Sequence, residues 1–367
     1  MTRSAAVAGA GLAGRLLAMR LLEQGWQVSL FDKDNPAGKQ SCGLTAAGML
    51  APCAEIETAD SRIFDLGMQS MQLWPEIIAR LTRKTGRTIY WRHQGSLILA
   101  HHQDQMELQR FVTNLHYKLT NRQSDRLTSQ PVTAEAHMQP VNAAEIIALE
   151  PELTSFRSGY FFPQEAQIAA DDLFPALQDF ILQHDGVVWR SHVTVDQING
   201  NTIHYQDSSD HKSDTFDMVC DCRGLGAQHQ LPDLHAVRGE LLWLETKEVH
   251  ITRPVRLMHP RYRLYLVPRP EHIYIIGASE IETEDYSPVS VRTSLELLSA
   301  AYSIHPAFAE ARIVQSRVNC RPAFSDHQPK VIVQPEQGYC AINGLYRHGY
   351  LLAPALVEQV IKKVKTL

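Results

Sequence analysis

The chain has 367 residues, 44% of them hydrophobic, and a formal net charge of -5 at neutral pH. This length allows a large core and favours two domains or one elaborate domain. The slight acidic excess gives no electrostatic basis for nucleic acid or an anionic membrane surface as the main partner. No apolar run reaches the roughly 18 residues that cross a bilayer, so we expect a soluble, cytoplasmic protein.

A glycine-rich turn near the N-terminus lies between an apolar run and an amphipathic segment, within SAAVAGAGLAGRLLAMRLLEQ (4–24). In the G-x-G-x-x-G pattern, Gly9 would form the tight turn, Gly11 would admit a pyrophosphate, and Gly14 would let helix and strand pack closely. The next apolar run ends at Asp32, near the spacing of about 20 residues expected for a carboxylate that binds ribose. The pattern predicts a Rossmann-type dinucleotide site, with an Ala/Gly-rich packed turn as the alternative.

The next segments alternate helical and strand patterns. The small-residue stretch GLTAAGMLAP (43–52) would let the backbone lie flat against a planar ring system, or would simply begin a tight helix. Helical periodicity predicts helices over 62–81 and 104–119, with two short strands between them in 86–100. The polar residues 121–141, around Gln130, are expected to form a surface connection.

Further along, strand patterns dominate until the C-terminus. Residues 170–185 are expected to form an amphipathic helix, and Asn199 to Asn201 a hairpin turn. Short strands over 239–244, 262–268 and 272–279 indicate an antiparallel sheet. A strand near 331–341 and a helix over 352–365 would return to the first domain, which predicts two interleaved domains. The histidines are scattered without H-E-x-x-H spacing, and six cysteines in so long a chain form no disulfide framework, so neither a metal centre nor disulfides are predicted.

Six separated segments resemble the FAD-dependent D-amino-acid oxidase superfamily, and within it the glycine oxidases of thiamine biosynthesis. They are AVAGAGLAG with Asp32, TAAGMLAP (45–52), RLYLVPR (263–269), IIGAS (275–279), RPAFSDHQP (321–329) and GLYRHGYLLAPA (344–355). The resemblance implies an α/β (α+β) fold of the glutathione-reductase-like type, in which a Rossmann-like FAD-binding domain is interleaved with an antiparallel-sheet substrate domain. The implied FAD-binding domain comprises 1–84, 148–230 and 316–367, and the implied substrate domain comprises 85–147 and 231–315.

The resemblance also implies a noncovalent FAD and the residues that would surround it. These are Gly9, Gly11 and Gly14 at the pyrophosphate, Asp32 at the ribose, Val193 at the adenine, Thr45, Ala46, Ala47, Gly48, Met49 and Leu50 along the isoalloxazine, and Gly344, Arg347 and Gly349 on its other side.

For the substrate, the resemblance places Arg321 opposite an amino-acid carboxylate, with Tyr265 facing the substrate and Arg347 near flavin and substrate. A guanidinium fork suits this task because it binds a carboxylate through two parallel hydrogen bonds and stays charged. Four positions depart from the glycine oxidases: Glu280 replaces a methionine, Arg263 replaces a histidine, and Leu345 and His348 alter the usual G-H-x-R-N-G. Glu280 would favour a cationic or larger amine, or would point to solvent.

The implied activity is oxidation of glycine, sarcosine or a D-amino acid by hydride transfer to the flavin. The products would be the imine or 2-oxo acid, ammonia and hydrogen peroxide, with dioxygen or another acceptor taking the electrons, and thiamine thiazole synthesis would be the pathway. A homo-oligomer is compatible with this interpretation. The alternatives are an amino-acid dehydrogenase, a tRNA-modifying oxidoreductase, and a noncatalytic flavoprotein that serves as a maturation or binding factor.

Overall fold

The computed structural model describes residues 2–57, 59–120, 134–259 and 264–364. Arg263 and most of the predicted polar connection, including Gln130, lie outside the described residues. The strands are β1 (Ser4–Ala8), β2 (Gln27–Asp32), β3 (Met49–Leu50), β4 (Trp91–Arg92), β5 (Ser96–Ala100), β6 (Gln139–Asn142), β7 (Ser158–Phe162), β8 (Ala166–Ile168), β9 (Val187–Ser191), β10 (Val193–Asn199), β11 (Thr202–Asp207), β12 (Asp210–Thr215), β13 (Met218–Asp221), β14 (Leu234–Glu245), β15 (Val255–Met258), β16 (Leu264–Arg269), β17 (Ile273–Gly277), β18 (Arg312–Phe324), β19 (Lys330–Gln334) and β20 (Tyr339–Asn343).

The helices are α1 (Leu12–Leu22), α2 (Cys42–Thr45), α3 (Pro52–Glu55), α4 (Ser61–Thr85), α5 (Gln105–Thr120), α6 (Ala134–His137), α7 (Ala143–Leu149), α8 (Ala170–Leu182), α9 (Val291–Ile304) and α10 (Gly349–Val364). Among the described residues, no helix is both long enough and apolar enough to cross a membrane.

A six-stranded sheet has the order β19-β20-β13-β1-β2-β9. Its strands are parallel except for the edge strand β19. Helices α1, α8 and α10 contribute to the core on one side of this sheet, and the small sheet β10-β11-β12 packs on the other. Strands buried on both faces read as nearly continuous apolar runs, which is why the run before the glycine turn identifies β1. The loops that follow β1 and β2 therefore meet at one edge of the sheet.

An eight-stranded sheet has the order β18-β14-β17-β16-β15-β5-β7-β6 and is antiparallel apart from the pair β15-β5. Its apolar face packs on α9 and on the segment around α7. The chain enters this sheet from the first one, leaves it and returns, which confirms the predicted mixed fold with two interleaved sheets. The residue boundaries given above for the two domains stay a prediction.

The consecutive strands β7 and β8 lie in different sheets. β7 joins the eight-stranded sheet, whereas β8 pairs with β3 and β4. The turn between them is anchored by the fully buried carboxylate of Glu165, which accepts hydrogen bonds from Ala54 N (2.9 Å) and Ser96 Oγ (2.5 Å). This anchor brings β3 and α3 against the second sheet, where the cavity described below opens.

Candidate functional site: a cavity between the two sheets

Two glycines of the first turn are required by the packing of the protein itself. Gly9 has φ +94°, its amide donates to Phe31 O (2.8 Å), and a Cβ there would lie 2.5 Å from Cys222 O. A Cβ on Gly14 would lie 1.9 Å from Gly9 O. Both positions thus admit only glycine without movement of the backbone, because a left-handed φ and a close helix-to-strand approach both exclude a side chain.

Gly11 differs from its two neighbours. A Cβ there would meet only Ser41 Oγ, at 3.6 Å, so no protein contact demands a glycine. Gly11 is the N-cap of α1, no side chain caps the helix, and its first turn contains no acidic residue. The open amides and the positive end of the helix dipole suit an anion, so this cradle fits the pyrophosphate of a dinucleotide.

Asp32 lies at the end of β2 beside the same turn. Its Oδ2 accepts from Ala10 N (2.5 Å) and its Oδ1 from Asp34 N (2.7 Å). Burial raises the pKa of Asp32 in spite of these two hydrogen bonds. Val193 begins β10 and is buried against Phe31, close to the segment that follows Asp32. The candidate ribose and adenine residues therefore lie on one side of the turn, outside the cavity lining.

Arg15, which the sequence analysis did not single out, holds this end of the site together. It is fully buried on α1, where its Nε donates to Ala10 O and its Nη2 to Pro36 O, both at 2.7 Å. Its guanidinium also packs against the rings of Phe174 and Trp189. Burial lowers its pKa to about 10, so it stays a cation at neutral pH. Its only sequence signal is a charged residue within an otherwise apolar helix face.

The backbone of residues 45–50 forms one wall of the cavity. Gly48 has φ +67°, and a Cβ there would lie 1.9 Å from Ile168 O, so the chain passes flat against β8. Arg269 fixes this wall by donating to the carbonyls of Ala47 and Ile168. Burial lowers the pKa of Arg269 to about 10. The sequence pattern indicates the small residues of this wall but not Arg269, whose guanidinium binds the carbonyls of Ala47 and Ile168.

The cavity brings together most of the residues predicted for cofactor and substrate. Its lining includes Gly11, Thr45, Ala46, Ala47, Gly48, Met49, Tyr265, Glu280, Arg321, Arg347 and Gly349. Six other predicted residues do not line the cavity: Gly9, Gly14, Asp32, Leu50, Val193 and Gly344.

The last two glycines of the predicted set differ in the same way as Gly9 and Gly11. A Cβ on Gly344 would collide with the ring of Phe324 at 2.2 Å. A Cβ on Gly349, at the start of α10, would meet nothing within 4 Å. Gly344 is therefore required by the protein's own packing, whereas Gly349 borders open space in the cavity.

Arg321 enters the cavity from β18. Its Nη1 donates to Ser279 O (3.1 Å), and within the described part of the chain no carboxylate forms an ion pair with it. The guanidinium lies so close to Gly239 that a Cβ there would be 2.3 Å from Nη2. Gly239 thus makes room for Arg321, a role that the sequence analysis did not assign.

Arg347, in contrast, is bound by two carboxylates of the protein. Its Nη1 lies 2.6 Å from Glu280 Oε1, and its Nε lies 2.9 Å from Glu55 Oε2. Burial opposes the charge of Arg347, but the two carboxylates outweigh it and raise its pKa. Burial likewise opposes ionisation of Glu280, whose pKa is nevertheless lowered by Arg347 and Arg321. Glu55, at the end of α3, gave no signal in the sequence because its partners are far away along the chain.

Two neutral side chains, Tyr265 and His348, line the cavity together with these charged residues. Burial raises the pKa of Tyr265 to about 12, so its phenol keeps its proton at neutral pH and can donate a hydrogen bond. Burial lowers the pKa of His348 to about 4, although Glu55 opposes the shift, with His348 Nδ1 3.5 Å from Glu55 Oε2. His348 is therefore neutral at pH 7. The cavity thus combines an open helix N-terminus, a flat backbone wall and Arg321, which has no carboxylate partner among the described residues.

Comparison with known proteins agrees with this arrangement. Residues 4–361 match the family described as DAO, FAD dependent oxidoreductase. The chain is 35% identical over 361 residues to the putative thiamine biosynthesis oxidoreductase ThiO of Rhizobium etli, covering 98% of this chain and 96% of that protein. It is 26% identical to the bifunctional protein ThiO/ThiG of Trichormus variabilis, covering 100% of this chain and 54% of that protein. The crystal structure of glycine oxidase from Geobacillus kaustophilus superposes with a TM-score of 0.80 at 23% identity, covering 100% of this chain and 95% of that one.

Proposed function

The chain belongs to the family of FAD-dependent oxidoreductases, and from this premise we propose that it oxidises the amine of a small amino acid such as glycine, sarcosine or a D-amino acid. The observation that carries the proposal is Arg321, a cation in the cavity wall that has no carboxylate partner among the described residues. A planar, permanently charged fork in a sheltered cavity is suited to a carboxylate. The products would be an imine, then ammonia and a 2-oxo acid, with hydrogen peroxide formed when dioxygen accepts the electrons.

The cofactor would occupy the side of the cavity that the protein leaves open. The N-terminus of α1 at Gly11 would hold the pyrophosphate, Asp32 the ribose and Val193 the adenine, while residues 45–50 and Gly349 would border the isoalloxazine. FAD, when bound, supplies the two-electron oxidation of the carbon-hydrogen bond next to the amine. The contribution of the chain is to bind, orient and enclose the substrate.

The amine would lie at Glu280. Oε1 of Glu280 binds Arg347, whereas Oε2 accepts no hydrogen bond from the residues that the structure describes, and the side chain is 39% exposed in the cavity wall. Arg321 and Glu280 would therefore bind the carboxylate and the ammonium of one zwitterion, and Tyr265 would add a hydrogen bond to the carboxylate. The ammonium would lose one proton to solvent before the carbon-hydrogen bond breaks, because only the lone pair of the neutral amine can form the imine. Arg347 is then a positioning residue, because its Nε binds Glu55 and its Nη1 binds Glu280.

The name of the Rhizobium etli relative supports a role in thiamine biosynthesis, and we include in the proposal the thiazole branch that the sequence resemblance implies. A deletion strain grown with and without added thiazole tests it. Growth that depends on thiazole supports the pathway, and growth without it contradicts the pathway but leaves the amine chemistry untouched.

Anaerobic mixing of the purified holoprotein with glycine, sarcosine and a panel of D-amino acids tests the reaction. We expect at least one of them to bleach the flavin absorbance, and readmitted air to restore it with release of hydrogen peroxide. If dithionite bleaches the flavin but no amino acid does, the proposal is wrong. If bleaching occurs and only a dye or quinone restores the colour, the protein is a dehydrogenase rather than an oxidase.

A further inference from the structure

Two histidines and a glutamate meet on the surface beside the cavity. The candidate ligand atoms of His235, Glu282 and His327, a ring nitrogen from each histidine and a carboxylate oxygen, all lie within 4.8 Å of one another. His235 Nε2 is 3.3 Å from Glu282 Oε2. We propose that these three side chains form a binding site for a divalent transition-metal ion, with Zn²⁺ as the best fit.

The three side chains come from separate segments that the eight-stranded sheet holds in place. His235 lies on β14 opposite Ala323 of β18. His327 lies in the turn that follows β18, where its amide donates to Phe324 O (2.8 Å). Glu282 follows Ile281, whose amide and carbonyl both bond to the backbone of Arg238 on β14. Ordered backbone therefore presents all three groups, with His235 half-buried and Glu282 and His327 exposed.

The donor set and the distances favour zinc over the hard cations. Two imidazoles and one carboxylate suit Zn²⁺ and its neighbours, whereas Ca²⁺ and Mg²⁺ prefer oxygen ligands. Bonds of about 2.0–2.2 Å in a tetrahedral site place ligand atoms roughly 3.3–3.5 Å apart. The pair of His235 and Glu282 already has this separation, and His327 must move closer by no more than about 1.4 Å, the difference between 4.8 Å and the tetrahedral separation. Water would complete the coordination.

A bound ion would also act on the wall of the cavity. The ring of His327 stacks on that of Tyr346, with centroids 4.8 Å apart and planes 26° apart. Tyr346 lines the cavity and immediately precedes Arg347. An ion that fixes the imidazole of His327 would therefore restrict Tyr346 and stabilise the segment that carries Arg347. The site does not depend on the proposed substrate.

Titration of the metal-free holoprotein with Zn²⁺, in competition with a chromogenic chelator, tests the proposal. We expect one ion per chain and a rise in melting temperature when the ion binds. His235→Ala and His327→Ala should each weaken binding by at least about tenfold, as expected when a site loses part of its coordination. Circular dichroism and flavin content of each variant confirm that it is folded.

The matched control is His211→Ala, which removes an exposed histidine that lies beside a single carboxylate, Asp196. This variant should bind Zn²⁺ as the parent protein does. The proposal is wrong if the parent binds no stoichiometric ion, if neither His235→Ala nor His327→Ala weakens binding, or if His211→Ala weakens it equally. Where a variant fails to fold, the electron paramagnetic resonance spectrum of Cu²⁺ bound to the parent protein provides the test. Coupling to imidazole nitrogen supports the proposal, and its absence contradicts it.

Discussion

The two ends of the cavity are built in different ways. At the nucleotide end, Gly9, Gly14 and Asp32 lie on one strand-turn-helix-strand unit, where Gly14 packs on the backbone of Gly9 and the Asp32 carboxylate accepts from Ala10 N. The charged end is formed by Glu55, Glu280, Arg321 and Arg347. There Glu55 and Arg347 form an ion pair although they are far apart in the sequence. The first end depends on backbone shape and the second on charge balance. Substitutions at the two ends should therefore have different consequences. At the first end a side chain that clashes with the backbone should prevent folding. At the second end a lost charge should change stability, pH dependence and substrate preference.

The largest effect is expected for Gly14→Ala. The new Cβ would lie 1.9 Å from Gly9 O, a clash with rigid backbone. We therefore expect the free energy of unfolding to fall by about 3 kcal/mol or more and little holoprotein to fold. Urea unfolding measures the stability, and flavin content measures the amount of holoprotein. Gly11→Ala is the control at the same turn: its Cβ meets only Ser41 Oγ at 3.6 Å, so the apoprotein should keep its stability and lose FAD affinity. Equal loss of stability in both variants would contradict the distinction.

The next effect belongs to Arg347→Gln, which leaves the carboxylates of Glu55 and Glu280 without their common cation. We expect the free energy of unfolding to fall by about 2 kcal/mol, a value that allows for the partial exposure of Glu280. Arg87→Gln is the matched control, because Arg87 forms an exposed pair with Asp179 and should change stability by less than about 1 kcal/mol. If urea unfolding gave the two variants a similar loss of unfolding free energy, the ion pairs of Arg347 would stabilise the protein no more than an exposed surface pair does.

A different kind of effect, on the pH dependence of stability, concerns Glu165, which accepts a hydrogen bond from Ala54 N of α3. Burial raises its pKa to about 7 from an ordinary value of 4.5. Between these two values the folded state keeps a proton that the unfolded state releases, so stability falls as pH rises, by no more than about 1.4 kcal/mol per pH unit. Glu165→Gln lacks this dependence. Its melting temperature relative to the parent should therefore rise from pH 5 to pH 8, and a constant difference would contradict the shift.

The smallest effect is expected for Glu280→Gln, which keeps the shape of the side chain and removes its charge. Because the carboxylate would bind the substrate ammonium, we expect about tenfold weaker binding of a zwitterionic substrate in anaerobic titrations. The maximal rate of flavin reduction should change less than the affinity. An unchanged affinity would mean that Glu280 serves only Arg347.

The contrast between the two ends also explains what the sequence could predict. Gly9, Gly14 and Asp32 were recognisable because their spacing encodes contacts within one supersecondary unit. The two sheets followed from the order of apolar runs, whereas the separation of β7 from β8 did not, since it depends on the buried carboxylate of Glu165. Arg269 and Glu55 stayed hidden because the groups they bind come from distant segments, and no local pattern records such contacts.

Arg321 is the residue on which the proposed chemistry depends. Anaerobic flavin reduction by glycine and by methylamine, in the parent protein and in Arg321→Ala, tests its role most directly, because the two amines differ only in the carboxylate. We predict that the parent reduces at least about 100-fold faster with glycine, the magnitude expected of a sheltered charge pair, and that the variant loses this preference while retaining bound FAD. A variant that still prefers glycine by the same factor would contradict the central claim.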